Sequence, residues 1–286
     1  MKNQKIKLVL AGTAKFSANV FELLINNNDF KIVALISQPN NLLDRNKNVI
    51  PTNVASLAKK YNIKLFQPTK INEIYEELKN LNFDFFITCA FGQFIPNKIL
   101  ELPKKAAINI HGSLLEKYRG AAPIQYSLLN NDKETGVSLI YMTNKMDAGD
   151  IIFQEKFEIE ENDTALEIYE KMLRLLENNL ATWIKKMYEN QINPKVQDEA
   201  KVTLAPKINN DEAEFFTTES KEKALAKIKA FNDQPGAFII INNKRLKVYR
   251  ATTKKVSSPL NLNFIDGKLY LIEYQWEGKK KVKHEI

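Results

Sequence analysis

The 286-residue chain contains one cysteine and two histidines. A single cysteine cannot form an internal disulfide bond, and so few thiols and imidazoles leave little material for a zinc site. We therefore expect no metal, and a reducing compartment, the cytoplasm. Imidazole chemistry is restricted to His111 and His284, and the second lies in a lysine-rich tail. The first is the better candidate for a catalytic group.

The chain also lacks any apolar run near the roughly 18 to 20 residues that a membrane span needs. Its basic start followed by apolar residues resembles a signal peptide, but Gly12 and Lys15 cut the apolar run short. We interpret this segment as a first strand. An apolar fraction of 44% with 27% charged residues is ordinary for a soluble globular protein of one large or two modest domains.

The net positive charge of the chain lies entirely in its last quarter. Residues 221–286 carry 15 Lys or Arg against 6 Asp or Glu, whereas the remainder carries 27 against 28. Such asymmetry favours a polyanionic partner, and a solvated lysine-rich surface is the alternative.

Short apolar runs alternate with helical patterns in the first half, which predicts an α/β fold with a doubly wound, mostly parallel, Rossmann-like sheet. The predicted strands are 6–11, 32–37, 84–90, 107–110, 137–142 and 151–157. The predicted helices are 17–26, capped by Ser17, then 52–61, 70–80, 122–130 and 164–187, the last with a capping box of Thr164 and Glu167.

The predicted domains are a catalytic domain over 1–190, a linker over 191–208 with little periodicity, and a small β-rich domain over 209–286, a partial barrel. In the last, a helix over 220–231 precedes strands at 237–241, 246–251 and 269–275. Asn242 and Asn243 predict a hairpin turn between the first two strands.

A single glycine, Gly12, stands between the first strand and the first helix. The dinucleotide fingerprint G-x-G-x-x-G needs three glycines, so a tight strand-to-helix turn is favoured over nucleotide binding.

Asn109 and His111 end an apolar run and stand two residues apart, so in a strand both side chains project from one face. They form a candidate catalytic pair, and a polar pair bonded to loop backbone is the alternative. Gly112 and the loop 118–120 follow at the strand end, where open α/β sheets place ligands.

Two further segments follow strands. Residues 146–150 (Met-Asp-Ala-Gly-Asp) form a turn in which Asp147 or Asp150 could reach His111, and spacing does not choose between them. Residues 90–96 (Ala-Phe-Gly-Gln-Phe-Ile-Pro) form a rigid loop whose aromatic residues are either core or the wall of a slot for a flat ring.

Taken together and in order, several segments resemble the folate-dependent formyltransferases, and among them the members that act on an aminoacylated initiator transfer RNA. The segments are 109–115 (Asn-Ile-His-Gly-Ser-Leu-Leu), 118–125 (Tyr-Arg-Gly-Ala-Ala-Pro-Ile-Gln), 134–137, 146–150, 197–199, 204–208 and 230–232. The resemblance runs from about Ile6 to Arg250.

The resemblance implies transfer of a formyl group from 10-formyltetrahydrofolate to the α-amine of methionine on initiator transfer RNA, in translation initiation, by a cytoplasmic monomer. It implies catalysis by Asn109, His111 and Asp147. It implies a folate site at Phe91, Gly92, Gln93, Ile95, Ser113, Leu114, Leu115 and Glu116. It implies RNA contacts in the loop 38–51, at Arg45 and Lys47. In the basic residues 221–286 we expect RNA contacts from Lys244, Arg245, Lys247 and Arg250.

The chain departs from the family pattern in three places. Glu116 stands where proline is usual, and either loosens the folate loop or adds a negative charge beside it. The loop 38–51 is poor in glycine and lysine, and the second domain ends early. The alternatives are a formyltransferase acting on an amino sugar of a nucleotide, and a folate-regulated RNA-binding protein with degenerate catalysis.

Overall fold

The computed structural model describes residues 5–44, 46–232, 234–258 and 260–284. Its strands are β1 (Ile6–Gly12), β2 (Phe30–Ile36), β3 (Leu42–Leu43), β4 (Val49–Ile50), β5 (Leu65–Phe66), β6 (Phe85–Cys89), β7 (Ala106–His111), β8 (Arg119–Gly120), β9 (Glu134–Tyr141), β10 (Ile151–Glu158), β11 (Leu204–Ala205), β12 (Phe238–Ile241), β13 (Lys244–Thr252), β14 (Asn261–Phe264), β15 (Gly267–Trp276) and β16 (Val282–Lys283). Its α-helices are α1 (Lys15–Ile25), α2 (Asn53–Tyr61), α3 (Tyr75–Lys79), α4 (Asn97–Leu100), α5 (Pro123–Leu129), α6 (Ala165–Tyr188) and α7 (Lys221–Ala230).

A seven-stranded sheet has the order β10-β9-β7-β6-β1-β2-β5. Its five strands from β7 to β5 pair in parallel, whereas β9 runs antiparallel to β7. The prediction of a mostly parallel, doubly wound sheet is therefore confirmed. Parallel strands end at one edge of the sheet, so the ends of β6 and β7 become neighbours there.

The described residues form two compact units. The first comprises Met1–Arg119, Gly136–Glu155 and Met172–Thr203, and the second Gly120–Thr135, Lys156–Lys171 and Leu204–Ile286. The domain boundaries drawn from the sequence stay predictions. None of the helices in the described part of the chain is long and apolar enough to cross a membrane.

In the first unit, one face of the sheet is buried by α3, α4 and the 3-10 helix Ile71–Ile74. Val9, Ile36 and Phe86 from the strands pack there with Ile71 and Ile99, all of them fully buried or nearly so. Burying several such side chains contributes about 1.5–3 kcal/mol each to folding. The strand ends that carry the polar residues are therefore set on a rigid support.

In the second unit, the antiparallel sheet has the order β12-β13-β15-β14, with β16 added to β15. Asn242 (φ 50°) and Asn243 (φ 59°) join β12 to β13, so the predicted hairpin turn is confirmed as the type with two left-handed residues. The small β-rich domain is likewise confirmed. Strand β14 was not predicted, because Asn261 and Asn263 alternate with only two apolar residues.

Two local expectations were wrong. Ser17 does not cap α1: the helix begins at Lys15, and the Ser17 hydroxyl instead donates to the Cys89 carbonyl oxygen at 2.6 Å. The helix expected over 70–80 is a 3-10 turn followed by the single α-turn of α3. The capping-box residues Thr164 and Glu167 do meet, since the Glu167 carboxylate accepts from the Thr164 backbone N–H at 2.9 Å.

Gly12 is required by close packing at the turn between β1 and α1. A Cβ at this position would lie 2.5 Å from the Ser17 Cβ and 2.7 Å from the Cys89 carbonyl oxygen. Contacts this short force the backbone apart, so the turn accepts glycine alone.

We predict that Gly12→Ala lowers the free energy of unfolding by about 1–3 kcal/mol, because the added methyl group overpacks a buried turn. Urea denaturation followed by circular dichroism measures this change. Lys15→Ala, an exposed position in the same turn, is the control and should stay within about 0.5 kcal/mol of the parent. Equal stabilities for all three proteins would contradict this view of the turn.

Candidate active site

Asn109 lies near the end of β7, where it pairs in register with Thr88 of β6. The Thr88 hydroxyl donates to Asn109 Oδ1 at 2.7 Å, and Asn109 Nδ2 donates to Asp147 Oδ1 at 3.1 Å. Because the oxygen of the amide meets a donor and its nitrogen meets a carboxylate, the orientation of the amide is fixed. One of the two N–H hydrogens is used in this way, and the other can donate to a ligand.

His111 is 4% exposed and lies two residues further along β7. Its Nε2 is 2.9 Å from the Tyr118 carbonyl oxygen, and its Nδ1 is 3.5 Å from Asp147 Oδ2. A carbonyl oxygen only accepts hydrogen bonds, so Nε2 carries the hydrogen in this contact. The other ring nitrogen, Nδ1, faces Asp147.

Spacing alone did not choose between Asp147 and Asp150 as the carboxylate beside His111. In the structure that carboxylate belongs to Asp147. Its backbone is in the left-handed region (φ 50°), two residues before Gly149. A Cβ at Gly149 would lie 1.9 Å from the Tyr141 carbonyl oxygen, so the turn packs directly on β9. Asp150 lies beside Tyr141, where burial first and the Asp150 charge second raise the pKa of the tyrosine.

The structure thus brings the three residues predicted to be catalytic into one contact set. Thr88 is a fourth member that the sequence reading missed. The signal for it was register: once β6 and β7 are aligned in parallel, Thr88 is the residue opposite Asn109. His284 instead contacts Tyr274 in the second unit, with ring centroids 5.8 Å apart.

The loop 90–96, predicted to hold folate, follows β6 directly and is held in place on both sides. The Phe91 carbonyl oxygen accepts from Gln38 Nε2 at 3.0 Å and from the Thr13 hydroxyl at 3.2 Å. Gln93 accepts from the Ile71 backbone N–H at 2.8 Å. The side chains of Phe91 and Ile95 are buried in the core, Gly92 is left-handed (φ 79°), and Phe94 is 72% exposed.

The second predicted folate segment, 113–116, is tied to β9 and β10. The Ser138 hydroxyl accepts from the Leu115 backbone N–H at 3.1 Å and donates to the Ser113 carbonyl oxygen at 2.7 Å. Gln154 Nε2 donates to the Leu115 carbonyl oxygen at 2.8 Å. Leu114 packs towards Gly136, where an added Cβ would lie 2.6 Å from its Cδ2.

Glu116, the departure from the family pattern, is 7% exposed. Its Oε1 accepts from the Asp198 backbone N–H at 2.6 Å and lies 4.0 Å from Lys195 Nζ. The Glu116 carbonyl oxygen accepts from the Thr203 backbone N–H at 3.3 Å. The side chain therefore fastens this segment to residues 198–203, and its contribution to a folate site stays a prediction.

The loop 38–51, predicted to contact RNA, contains the short hairpin of β3 and β4. Lys47 lies in its turn with a left-handed backbone (φ 65°), and Arg45 lies outside the described residues. The hairpin exposes four apolar side chains, which are Leu42 (70%), Leu43 (58%), Val49 (58%) and Ile50 (42%).

Four basic residues of β13 were also predicted to contact RNA. Lys244 and Arg245 are exposed next to the hairpin turn, whereas Lys247 Nζ donates to the Pro235 carbonyl oxygen at 2.9 Å. Arg250 pairs with the Glu167 carboxylate, and its Nε lies 3.8 Å from Glu273 Oε2. The Arg250 side chain is thus engaged in ion pairs. Lys244 and Arg245 are better placed than Arg250 to contact an RNA phosphate.

Cys89 follows Thr88 and is the strongest intrinsic nucleophile near the site. It is 1% exposed, and burial raises the pKa of its thiol to about 12. The thiolate, which is the nucleophilic form, is therefore negligible at neutral pH. No group of three or more His, Cys, Asp or Glu side chains suited to a metal ion occurs among the residues that the structure describes.

Comparison with known proteins gives two family matches. The family model described as "Formyl transferase" matches residues 4–184, and that described as "Formyl transferase, C-terminal domain" matches residues 207–285. Among curated relatives, the methionyl-tRNA formyltransferase of Mycoplasmopsis pulmonis is 46% identical over 279 residues, which is 97% of this chain and 96% of that protein. That of Malacoplasma penetrans is 38% identical over 293 residues, with 98% and 91% covered.

Two solved structures are also similar. A sugar 3N-formyl transferase in the presence of dTDP and 5-N-formyl-THF has a TM-score of 0.68 at 25% identity, covering 97% of this chain and 100% of that chain. The methionyl-tRNA formyltransferase from Clostridium thermocellum has a TM-score of 0.65 at 19% identity, covering 98% of this chain and 100% of that chain. At this identity the similarity shows the fold alone.

We predict that the Cys89 thiol of the folded protein resists a disulfide reagent such as DTNB at pH 8, because the thiol is buried and protonated. When the same protein is unfolded in concentrated guanidinium chloride, one thiol per chain should react with DTNB, since Cys89 is the only cysteine. Stoichiometric labelling of the folded protein within minutes would contradict the burial.

Proposed function

This chain belongs to the formyl transferase family, and we propose that it transfers a formyl group from 10-formyltetrahydrofolate to the α-amine of methionine on initiator transfer RNA. This reaction serves translation initiation. The observation that carries the chemistry is the Asp147 carboxylate, which lies 3.1 Å from Asn109 Nδ2 and 3.5 Å from His111 Nδ1. The choice of acceptor rests on the 46% identity to the Mycoplasmopsis pulmonis methionyl-tRNA formyltransferase.

10-Formyltetrahydrofolate supplies the formyl carbon, whose bond to the folate nitrogen is exchanged for a bond to the amine nitrogen. Negative charge develops on the formyl oxygen as the amine attacks. Asn109 would stabilise this charge with the N–H that it does not give to Asp147, and His111 with a protonated Nδ1. Both donors are held in place before the reaction begins, which is the condition for effective stabilisation of an oxyanion.

Asp147 has two tasks in this scheme. It lies beside His111 Nδ1 and orients the imidazole, and it takes the proton that the attacking amine loses, directly or through one water. That proton is balanced by the one taken up at the folate nitrogen when the bond to the formyl carbon breaks. The scheme uses neither a metal nor a covalent intermediate on the protein.

The loops 90–96 and 113–116 are proposed to hold the folate. The loop 90–96 begins two residues after Thr88, whose hydroxyl donates to the Asn109 side chain. A ligand bound on this loop would therefore lie close to the catalytic amide of Asn109. The hydrogen bonds to Phe91 and Gln93 keep its backbone fixed, and Phe94 offers an exposed aromatic ring. A folate ligand is supported by one of the similar structures, which was solved in the presence of 5-N-formyl-THF.

The amino sugar of a nucleotide is the acceptor to test against methionine, because a sugar 3N-formyl transferase is among the similar structures. Purified protein is incubated with the formyl donor and either methionylated initiator transfer RNA or an amino-sugar nucleotide, and the formylated amine is scored. Formyl-methionine on the RNA is the expected product. Formylated sugar would favour the rival enzyme, and RNA binding without either product would favour a regulatory protein. We further propose that the protein is a cytoplasmic monomer, as its resemblance to the folate-dependent formyltransferases implies.

We predict that His111→Ala and Asp147→Asn each lower turnover by roughly 100-fold or more, as oxyanion and acid–base contributions usually do. Turnover is measured with methionylated initiator transfer RNA, and circular dichroism checks that the fold is kept. His284→Ala, which removes the other histidine, is the matched control and should turn over normally. Normal turnover of either active-site variant would overturn the catalytic assignment.

We also predict that the double variant Lys244→Ala with Arg245→Ala weakens RNA binding and reduces its salt dependence. Each lost phosphate contact should lower the slope of log K against log salt concentration by about 1. Filter retention at several salt concentrations measures both quantities. Lys59→Ala with Lys186→Ala removes the same charge from the first unit and should leave the slope unchanged, so equal slopes for the two double variants would exclude the β13 contact.

A further inference from the structure

Residues 197–203, predicted to be part of a linker, contact the backbone around the active site. Gln197 is 6% exposed. Its Nε2 donates to the Asp147 carbonyl oxygen at 2.8 Å and to the Gly149 carbonyl oxygen at 2.7 Å. One side-chain amide thus binds both ends of the turn that presents the Asp147 carboxylate.

From these contacts we infer that Gln197 is a positioning residue for catalysis, which holds Asp147 in the orientation that meets Asn109 and His111. A left-handed backbone at a residue other than glycine is costly and persists only where the surroundings enforce it. Gly149 packs against β9, and Gln197 closes the turn from the other side. Because the amide is buried, water cannot simply replace it when it is removed.

The orientation of the Gln197 amide is itself determined. Arg119 Nε donates to Gln197 Oε1 at 3.0 Å, and a guanidinium group can only donate. The oxygen of the amide must therefore face Arg119, and its nitrogen must face the two carbonyl oxygens. Glu199 holds Arg119 in turn with two hydrogen bonds, of 2.8 and 3.2 Å, and these hydrogen bonds lower the pKa of Glu199.

The same segment also supports His111. The Thr203 hydroxyl accepts from the Tyr118 backbone N–H at 2.9 Å, and the Thr203 carbonyl oxygen accepts from the Arg119 backbone N–H at 2.9 Å. Tyr118 is the residue whose carbonyl oxygen holds His111 Nε2. Residues 197–203 therefore fix the backbone behind both the carboxylate and the imidazole.

The inference rests on the proposed function, which it deepens by naming residues that act through Asp147. The test compares Gln197→Leu and Gln197→Glu with Gln191→Leu. The glutamate variant keeps an oxygen for Arg119 but has no N–H to give to the carbonyl oxygens. Gln191 is exposed and lies in the first unit outside residues 197–203, so its variant makes the same exchange away from this contact set.

Steady-state kinetics with methionylated initiator transfer RNA form the first arm. Both Gln197 variants should lower kcat roughly 10- to 100-fold, since a displacement of about 1 Å at a catalytic group can cost that much. KM for the formyl donor and the RNA should stay within about 3-fold, because Gln197 orients a catalytic group and binds neither substrate. Gln191→Leu should retain the parental kcat. Parental kcat in both Gln197 variants, or a loss confined to KM, would overturn the inference.

Nitrogen-15 NMR of the imidazoles is the second arm, and it needs no turnover. The chain has two histidines, so His284 serves as an internal reference for His111. The His111 signals should move in the Gln197 variants towards their position in Asp147→Asn, and should stay unchanged in Gln191→Leu. Unchanged signals in a folded Gln197 variant would refute the positioning role. If the parent protein formylates no methionine, the proposed function fails while this arm still decides the inference.

Discussion

Asp147 gives its two carboxylate oxygens to two different partners, an amide on one side and an imidazole on the other. To do so it must approach the end of β7 from the turn after β9, with its backbone in a region that few residues adopt. The surrounding structure follows from this requirement. Gly149 allows the turn to pack on β9, Thr88 sets the amide that receives one oxygen, and the Tyr118 carbonyl oxygen sets the imidazole that receives the other.

The sheet can carry this arrangement because the residues that stabilise the fold are not those that form the active site. Apolar side chains of β1, β2 and β6 fill the core beneath, and the catalytic residues stand at or near the strand ends. A loop that follows a buried strand inherits the rigidity of that strand, as the hydrogen bonds of 90–96 illustrate. The active site is thus assembled from short, separate stretches of sequence.

Much of this site could be read from the sequence, because alternation in a strand places Asn109 and His111 on one face whatever surrounds them. The longer strands and most helices followed from periodicity, whereas β14 and the two-residue strands did not. The hairpin at Asn242 followed from turn chemistry. What could not be read depends on contacts between distant residues. Ser17 was predicted to cap α1, but the helix begins two residues earlier. The Ser17 hydroxyl instead donates to the carbonyl oxygen of Cys89, 72 residues further along the chain. The choice of Asp147 over Asp150, and the contact between Gln197 and the turn 50 residues before it, likewise depend on tertiary packing that spacing does not encode.

The burial of Cys89 has a practical consequence for studying this protein. A chain with one thiol, enclosed at the end of β6, presents no reactive sulfur on the described surface. A cysteine introduced at an exposed position therefore accepts a fluorescent or spin label without first removing a native residue. Distances between a label on the β3–β4 hairpin and a labelled nucleic acid could then be followed in the otherwise unaltered molecule.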